Sequence, residues 1–289
     1  MNYVVITPVK DEERFIEQTL QSMANQRLKP SLWIIVDDGS TDRTPEIIQQ
    51  YADEHAFIRL IRNAKRTTRQ TGVAEVLAFN VGYEIVRTGP FDFIVKLDGD
   101  LGFEPDYFSG LIDEFAKNPK LGIASGVYEE FHHGKWGVVN MPSYHAAGAS
   151  KVVRRSCFEA IGGFVAQRSW DTVDEIRAMA RGWETTHFPS LVMKHLKPEG
   201  TGMGLLRTCF MHGEIYYRTR GGLLFFLLKV LRRTTYRPVV MGGLAMAWGY
   251  LNAVIRRKER LVNAEEGRGY RTLLNARLFG KIRPSSSKT

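Results

Sequence analysis

KLDGDLGFEPDYF, residues 96–108, decides how this chain is read. Asp98 and Asp100 stand one residue apart, just after the apolar run Phe93-Ile94-Val95. Asp is depleted in strands and common in turns, so the plain reading is a turn at a strand end. A calcium loop of the EF-hand type is excluded, because its required Gly and Glu are Phe103 and Ser109 here. The other reading is a ligand pair. In an extended backbone, residues two apart point the same way, so Asp98 and Asp100 would share one hard cation, Mg2+ or Mn2+. Gly99 between them would let a ligand come close to the backbone.

The flanking sequence gives the pair its context. Tyr3-Val4-Val5-Ile6 reads as a short buried strand ended by Thr7-Pro8. Phe15, Ile16, Thr19, Leu20 and Met23 then fall on one helix face. Trp33–Val36 is a second strand, stopped by Asp37-Asp38-Gly39-Ser40, and Thr44-Pro45 opens a second helix. Residues 57–61 form a third strand, 74–86 a third helix and 93–97 a fourth strand. Alternation of this kind implies an α/β fold with a mostly parallel sheet, whose ligands bind beyond the carboxyl ends of the strands. Thr7-Pro8, Asp37-Asp38 and Asp98-Gly99-Asp100 all fall at such ends. No G-x-G-x-x-G follows the first strand, and no P-loop pattern occurs.

Composition sets the outer bounds. The 289 residues carry 44% apolar and 25% charged side chains, as expected of a folded globular chain. Two distant cysteines, Cys157 and Cys209, fit a reducing compartment and no metal spacing. The N-terminus begins on a strand-like run, with no basic leader read before it. The net charge of +9 is uneven. Residues 1–204 hold 23 Lys/Arg against 27 Asp/Glu, and residues 205–289 hold 17 against 4. The basic end is expected to meet an anionic surface.

A strand followed by T-P-V-K-D-E-E, then V-D-D-G-S-T-D, then K-L-D-G-D-L resembles the inverting glycosyltransferases of family 2, with the GT-A fold. The resemblance covers roughly residues 1–204, divided into a nucleotide-sugar half (1–100) and an acceptor half (101–204). It implies that Asp98 and Asp100 form the D-x-D motif, holding a divalent metal, Mg2+ or Mn2+, against a nucleotide-diphosphate sugar. It also implies that Pro8 and Glu12 line the base and ribose, with Lys10 where the family often has an aromatic residue. Val36 and Asp38 would meet the base, Asp37 would hold the turn, and Arg69, with Arg66, would face the diphosphate. The bland reading of both arginines is a solvated basic loop. Family members often place a metal- or diphosphate-contacting His near position 195, which makes His195 a third candidate ligand. A lone His is also commonly structural. His132 and His133, in an expected loop from Glu129 to Trp136, have no assigned role.

An acceptor hydroxyl needs a carboxylate to take its proton. The family supplies one after a Gly-Gly-Phe stretch. Ile161-Gly162-Gly163-Phe164 is followed here by Trp170-Asp171-Thr172-Val173-Asp174. Counting back six from Arg177 puts Asp171 on the base position, with Trp170 replacing the customary Glu. Asp174 is the reserve. A helix N-cap is the structural alternative for Asp171.

Residues 205–289 lie beyond the resemblance. Val239–Ile255 holds seventeen residues without a charge, followed by Arg256-Arg257-Lys258. Seventeen is the short limit of a span. The readings are a buried helical hairpin or a monotopic attachment to an anionic membrane. Long apolar stretches beside clustered cations favour membrane over nucleic acid. The expected function is sugar transfer to a saccharide or lipid-linked acceptor in cell-surface polysaccharide synthesis, on the cytoplasmic face of the membrane. The alternatives are a nucleotidyltransferase and a non-catalytic nucleotide-binding protein of the same fold.

Overall fold

A computed structural model describes residues 1–63, 73–132, 134–197 and 204–278. Arg66, Arg69 and His133 lie outside the described residues. The chain divides into two compact units, Met1–Pro198 and Glu199–Thr289.

The first unit is built on one sheet. Strands β1 (Tyr3–Val9), β2 (Leu32–Asp37), β3 (Ile58–Arg62) and β4 (Phe93–Leu97) alternate with helices α1 (Ile16–Ala24), α2 (Thr44–Glu54) and α3 (Ala74–Val86). These four strands pair in parallel in the order β3-β2-β1-β4. The chain then continues through β5 (Leu101–Phe103), α4 (Tyr107–Lys117), β6 (Leu121–His132), β7 (Lys135–Val138) and β8 (Ser150–Arg154). Helices α5 (Arg155–Ile161) and α6 (Trp170–Ala180) lead to β9 (Glu184–His195). Beyond β4 the order is β8-β6-β9-β5, with β8 antiparallel to β4 and β7 hanging on β6.

The buried strands separate two cores by their period of two. Val5, Trp33, Ile35, Phe93 and Val95 face α1 and α4, whose Leu20, Met23, Phe108 and Phe115 are buried. Val4, Ile6, Ile34, Val36 and Ile94 face the other way, onto Phe79 of α3, Phe158 of α5 and Trp170 of α6. Each such side chain contributes about 1.5–3 kcal/mol by leaving water. The strand order makes β1 and β4 neighbours whose connections leave in opposite directions. That is the switch point where an α/β sheet opens a crevice at its carboxyl edge.

The fourth strand ends at Leu97, as the sequence reads, and the turn reading of Asp98-Gly99-Asp100 holds locally: the segment bends the chain into β5. One sequence expectation changes: residues 129–132 and 135–136 are not loop. They are the paired ends of β6 and β7, in register from Glu129 opposite Val138 to His132 opposite Lys135. This hairpin carries exposed aromatic residues such as Phe131 and Trp136, which masks its strand pattern.

The second unit holds α7 (Leu205–Arg218), α8 (Leu223–Arg233), α9 (Met241–Ile255) and α10 (Ala264–Leu278). The glycines of α9 are contact points. A Cβ on Gly249 would lie 1.9 Å from the Phe210 carbonyl oxygen, and one on Gly213 of α7 would lie 1.9 Å from that of Met246. The two backbones touch there, which only glycine permits. Among the described residues no helix is long and apolar enough to cross a membrane. The 15 residues of α9 rise about 22 Å, short of a hydrocarbon core of about 30 Å.

Candidate active site

Asp98 follows β4 directly, and its backbone N–H donates to the Ala149 carbonyl at 2.8 Å. Asp100 is buried just before β5. Strand β9 runs antiparallel to β5 and sets His195 opposite Leu101. One donor atom from each of Asp98, Asp100 and His195 therefore lies within 4.8 Å of the others. His195 Nε2 is 3.4 Å from Asp100 Oδ2, and its Nδ1 is 3.7 Å from Oε1 of Glu130, a buried carboxylate on β6. A carboxylate behind a ligating imidazole orients the ring. Two hard oxygens and one imidazole nitrogen suit Mn2+, and the two carboxylates suit Mg2+ with substrate phosphates completing its shell. The three residues thus fit a divalent cation.

Lys96, two residues before Asp98 on the buried strand β4, is ion-paired with both Asp98 and Glu75 of α3. Burial pushes Asp98 up to about 7, the Glu75 and Asp100 charges adding to the rise against the pull of Lys96. Gly99 has a packing role. A Cβ there would lie 2.9 Å from Val9 Cγ1 and 3.2 Å from Ile16 Cδ1. The acidic segment is pressed onto the end of β1 and the start of α1, so glycine is needed whether or not a ligand approaches.

Across the switch point, Pro8 of β1 pairs with Val36 of β2, which presents only backbone toward the edge because its side chain is fully buried. Asp38 Oδ1 accepts from Asn63 Nδ2 at 2.8 Å, and the Asp38 carbonyl accepts from Lys10 at 3.2 Å. Asp37 holds the turn: its Oδ1 accepts from the Ser40 N–H at 2.9 Å. Glu12 Oε1 accepts from Lys197 at 2.8 Å, two residues beyond His195. Burial nevertheless raises Glu12 above the ordinary carboxylate range.

Asp171 lies in the first turn of α6. It is not the N-cap, which is Ser169 in a left-handed conformation. The Asp171 carbonyl accepts from Lys151 Nζ at 2.7 Å, while its carboxylate has no hydrogen-bond partner among the described residues. Asp174 is different. It is buried, and both its oxygens lie 3.1 Å from Lys151 Nζ. Burial pushes Asp174 up to about 8 against that pairing. Glu175 completes the cluster, accepting from the Ala146 N–H at 2.8 Å and lying 3.0 Å from His145 Nδ1. Of the two candidate bases, Asp171 alone is open to an acceptor.

Trp170 explains its own departure from the family pattern. Its ring is buried against Phe164 at 4.7 Å, and the ammonium groups of Lys96 and Lys151 approach it at 5.3 and 5.2 Å. It links the lysine that holds Asp98 to the lysine that holds the Asp171 backbone. Lys96, Lys151, Glu130 and Lys197 were missed by sequence reasoning. A charged residue inside an apolar strand, as in FIVKL and SKVVR, is the signal that finds the first two.

The family model for "Glycosyl transferase family 2" matches residues 4–171. Poly-beta-1,6-N-acetyl-D-glucosamine synthase of Staphylococcus epidermidis is 28% identical over 116 residues, 40% of this chain and 26% of that protein. The uncharacterised glycosyltransferase EpsJ of Bacillus subtilis is 29% identical over 129 residues, 44% of this chain and 34% of its own. This chain thus spans about a quarter to a third of these curated relatives. Mannosyltransferase PcManGT of Pyrobaculum calidifontis, solved with GDP-Man and Mn2+, superposes with a TM-score of 0.57 at 17% identity, covering 98% of this chain and 81% of that one. Residues 1–349 of Staphylococcus aureus TarS with UDP-GlcNAc give 0.56 at 14%, covering 97% and 92%. The fold is the GT-A fold. With more than half its length matched by the family model and the acidic pair set at the switch point of that fold, the chain belongs to glycosyl transferase family 2.

Proposed function

We propose that this chain transfers a sugar, with inversion, from a nucleotide-diphosphate donor to a hydroxyl of a saccharide or lipid-linked acceptor in cell-surface polysaccharide synthesis. The observation that carries this reading is the convergence of Asp98, Asp100 and His195 within 4.8 Å at the switch point. The open carboxylate of Asp171, in the first turn of α6, supports it. A divalent cation held by those three residues would supply counter-charge for the diphosphate leaving group. Asp38 and the backbone at Val36 hold the base, with Pro8 and Glu12 beside it. Asp171 takes the proton of the acceptor hydroxyl as its oxygen attacks the anomeric carbon. The bond to the diphosphate oxygen breaks on the opposite face and its electron pair leaves with the nucleotide. The relatives, a poly-N-acetylglucosamine synthase among them, support a polysaccharide product.

Incubation with UDP-, GDP- and dTDP-sugars and Mn2+ tests the reading. Nucleoside diphosphate release with at least one donor, faster with a saccharide acceptor, is expected. Tight nucleotide binding without release from any donor would instead mark a non-catalytic nucleotide-binding protein.

Residues 205–289 are read as an attachment to the anionic cytoplasmic face of the membrane. Exposed Leu223, Leu224, Leu227, Leu228 and Leu231 line one stripe of α8, and Leu244, Trp248, Leu251 and Ile255 one stripe of α9. The protein is expected to float with phosphatidylcholine vesicles containing phosphatidylglycerol and to be released by high salt. Absence from every vesicle fraction would overturn the attachment.

A further inference from the structure

The second unit contains a cleft of about 560 Å³ between α7, α8 and α9. Cys209 and Met246 form its buried floor, with Leu205 and Tyr236 as apolar wall. Lys229, Arg232 and Arg233 of α8 line it together with His212 and Thr208, and among the described residues no carboxylate does. The partners of these three cations are neutral. Arg233 Nε donates to Cys209 Sγ at 3.1 Å, and its two terminal nitrogens donate to the Tyr236 and Arg237 carbonyls at 2.9 Å. Arg232 stands over the Tyr236 ring at 5.9 Å and Lys229 over the Tyr216 ring at 5.8 Å. Two acids of this unit are engaged elsewhere: Glu214 with Lys258, and Glu266 at the start of α10. Lys229 and Arg232 are exposed and Arg233 half-buried, so three positive charges stand around a partly apolar floor, open to an anion.

We propose that this cleft binds the phosphate-monoester end of a membrane lipid. Charge sets the headgroup: a monoester carries close to two negative charges near neutral pH, a phosphodiester only one. Three cations with no acid among the described lining residues favour the dianion. Shape sets the tail. The cations lie on α8 at positions 229, 232 and 233, while the exposed leucines at 224, 227, 228 and 231 lie on a neighbouring stripe of the same helix. A molecule whose phosphate sits among the cations can run its chain along Leu205 and the α8 leucines. A free phosphate would use the cations alone and leave the apolar wall uncovered. The source of the ligand rests on the membrane reading above, whereas the cleft chemistry does not.

Isothermal titration of the full chain separates these sources. The probes are dihexanoyl phosphatidic acid, dihexanoyl phosphatidylglycerol with the same tails, and inorganic phosphate, all below micelle concentrations. Phosphatidic acid is expected to bind about ten-fold more tightly than either other probe, the scale of one added charge-assisted contact. The double variant Lys229→Gln/Arg232→Gln is expected to lose that preference while keeping its helical circular dichroism and its Mn2+ binding. Equal affinity for phosphatidic acid and phosphatidylglycerol would overturn the proposal, as would phosphate binding as tightly as the lipid. So would a preference that survives in the double variant. If the wild-type chain prefers phosphatidic acid in solution yet ignores anionic vesicles, the attachment fails and the cleft stands. If it binds vesicles but shows no preference among the soluble probes, the cleft fails and the attachment stands.

Discussion

Asp100→Ala is expected to abolish measurable Mn2+ binding and to lower kcat/KM by roughly 10²–10³-fold, the scale of losing a principal electrostatic stabiliser of a leaving group. The alanine removes a buried donor that stands 3.4 Å from His195 and leaves Asp98 and the imidazole too few to hold a hard cation. The pH dependence follows from Asp98, whose carboxyl burial pushes to about 7. A metal ligand must be deprotonated, so Mn2+ affinity should fall as pH drops through 7. In metal-free protein the sign is opposite for stability. The folded state binds the Asp98 proton more tightly than the unfolded chain does, so this group's contribution is present below about pH 4 and is lost as pH rises to about 7. Melting curves between pH 5 and 8, with and without Mn2+, read both effects. A Mn2+ stabilisation equal at pH 5 and pH 8, or one retained by Asp100→Ala, would sink the ligand assignment.

Asp171→Asn is expected to lower kcat by about 10²–10⁴-fold, with little change in donor affinity, because the amide keeps the side chain's shape and cannot accept the proton. Its carboxylate carries no structural hydrogen bond among the described residues, so the variant should melt near the wild type. Asp174→Asn should behave in the opposite way. It weakens one of the contacts that hold the buried Lys151, a loss that shows first in the melting temperature. Near-normal turnover of Asp171→Asn would refute its assignment as base.

Much of this was legible in the residues themselves. The runs at 3–6, 33–36 and 93–95 are apolar on both faces, so parallel strands buried on both sides could be read from them. Their polar ends then had to meet at one edge. The turn after Leu97 was legible as one of two readings, but its seat was not, because that depends on Val9 and Ile16 occupying the space above Gly99. Nor was the second half of the sheet. Strands β6, β8 and β9 carry Ser125, Glu130, Lys151 and His195 inside them, and these polar residues meet partners far away in sequence, such as Ala147, Asp174 and each other. Lys151 could not be read as buried until Asp174 and Glu175 were seen closing on it. The roles of Glu130 and Lys197 depend likewise on β9 lying beside β6 and on where β9 ends.

The Trp170 ring has a consequence for how the site responds to its surroundings. A glutamate in that place would gain and lose a proton, and the hold on the neighbouring ammonium groups would vary with it. An indole ring has no proton to exchange at any pH the protein meets, and its attraction for cations comes from a fixed quadrupole. On the proposed reading, the span between Asp98 and Asp171 is therefore bridged by a component that does not titrate.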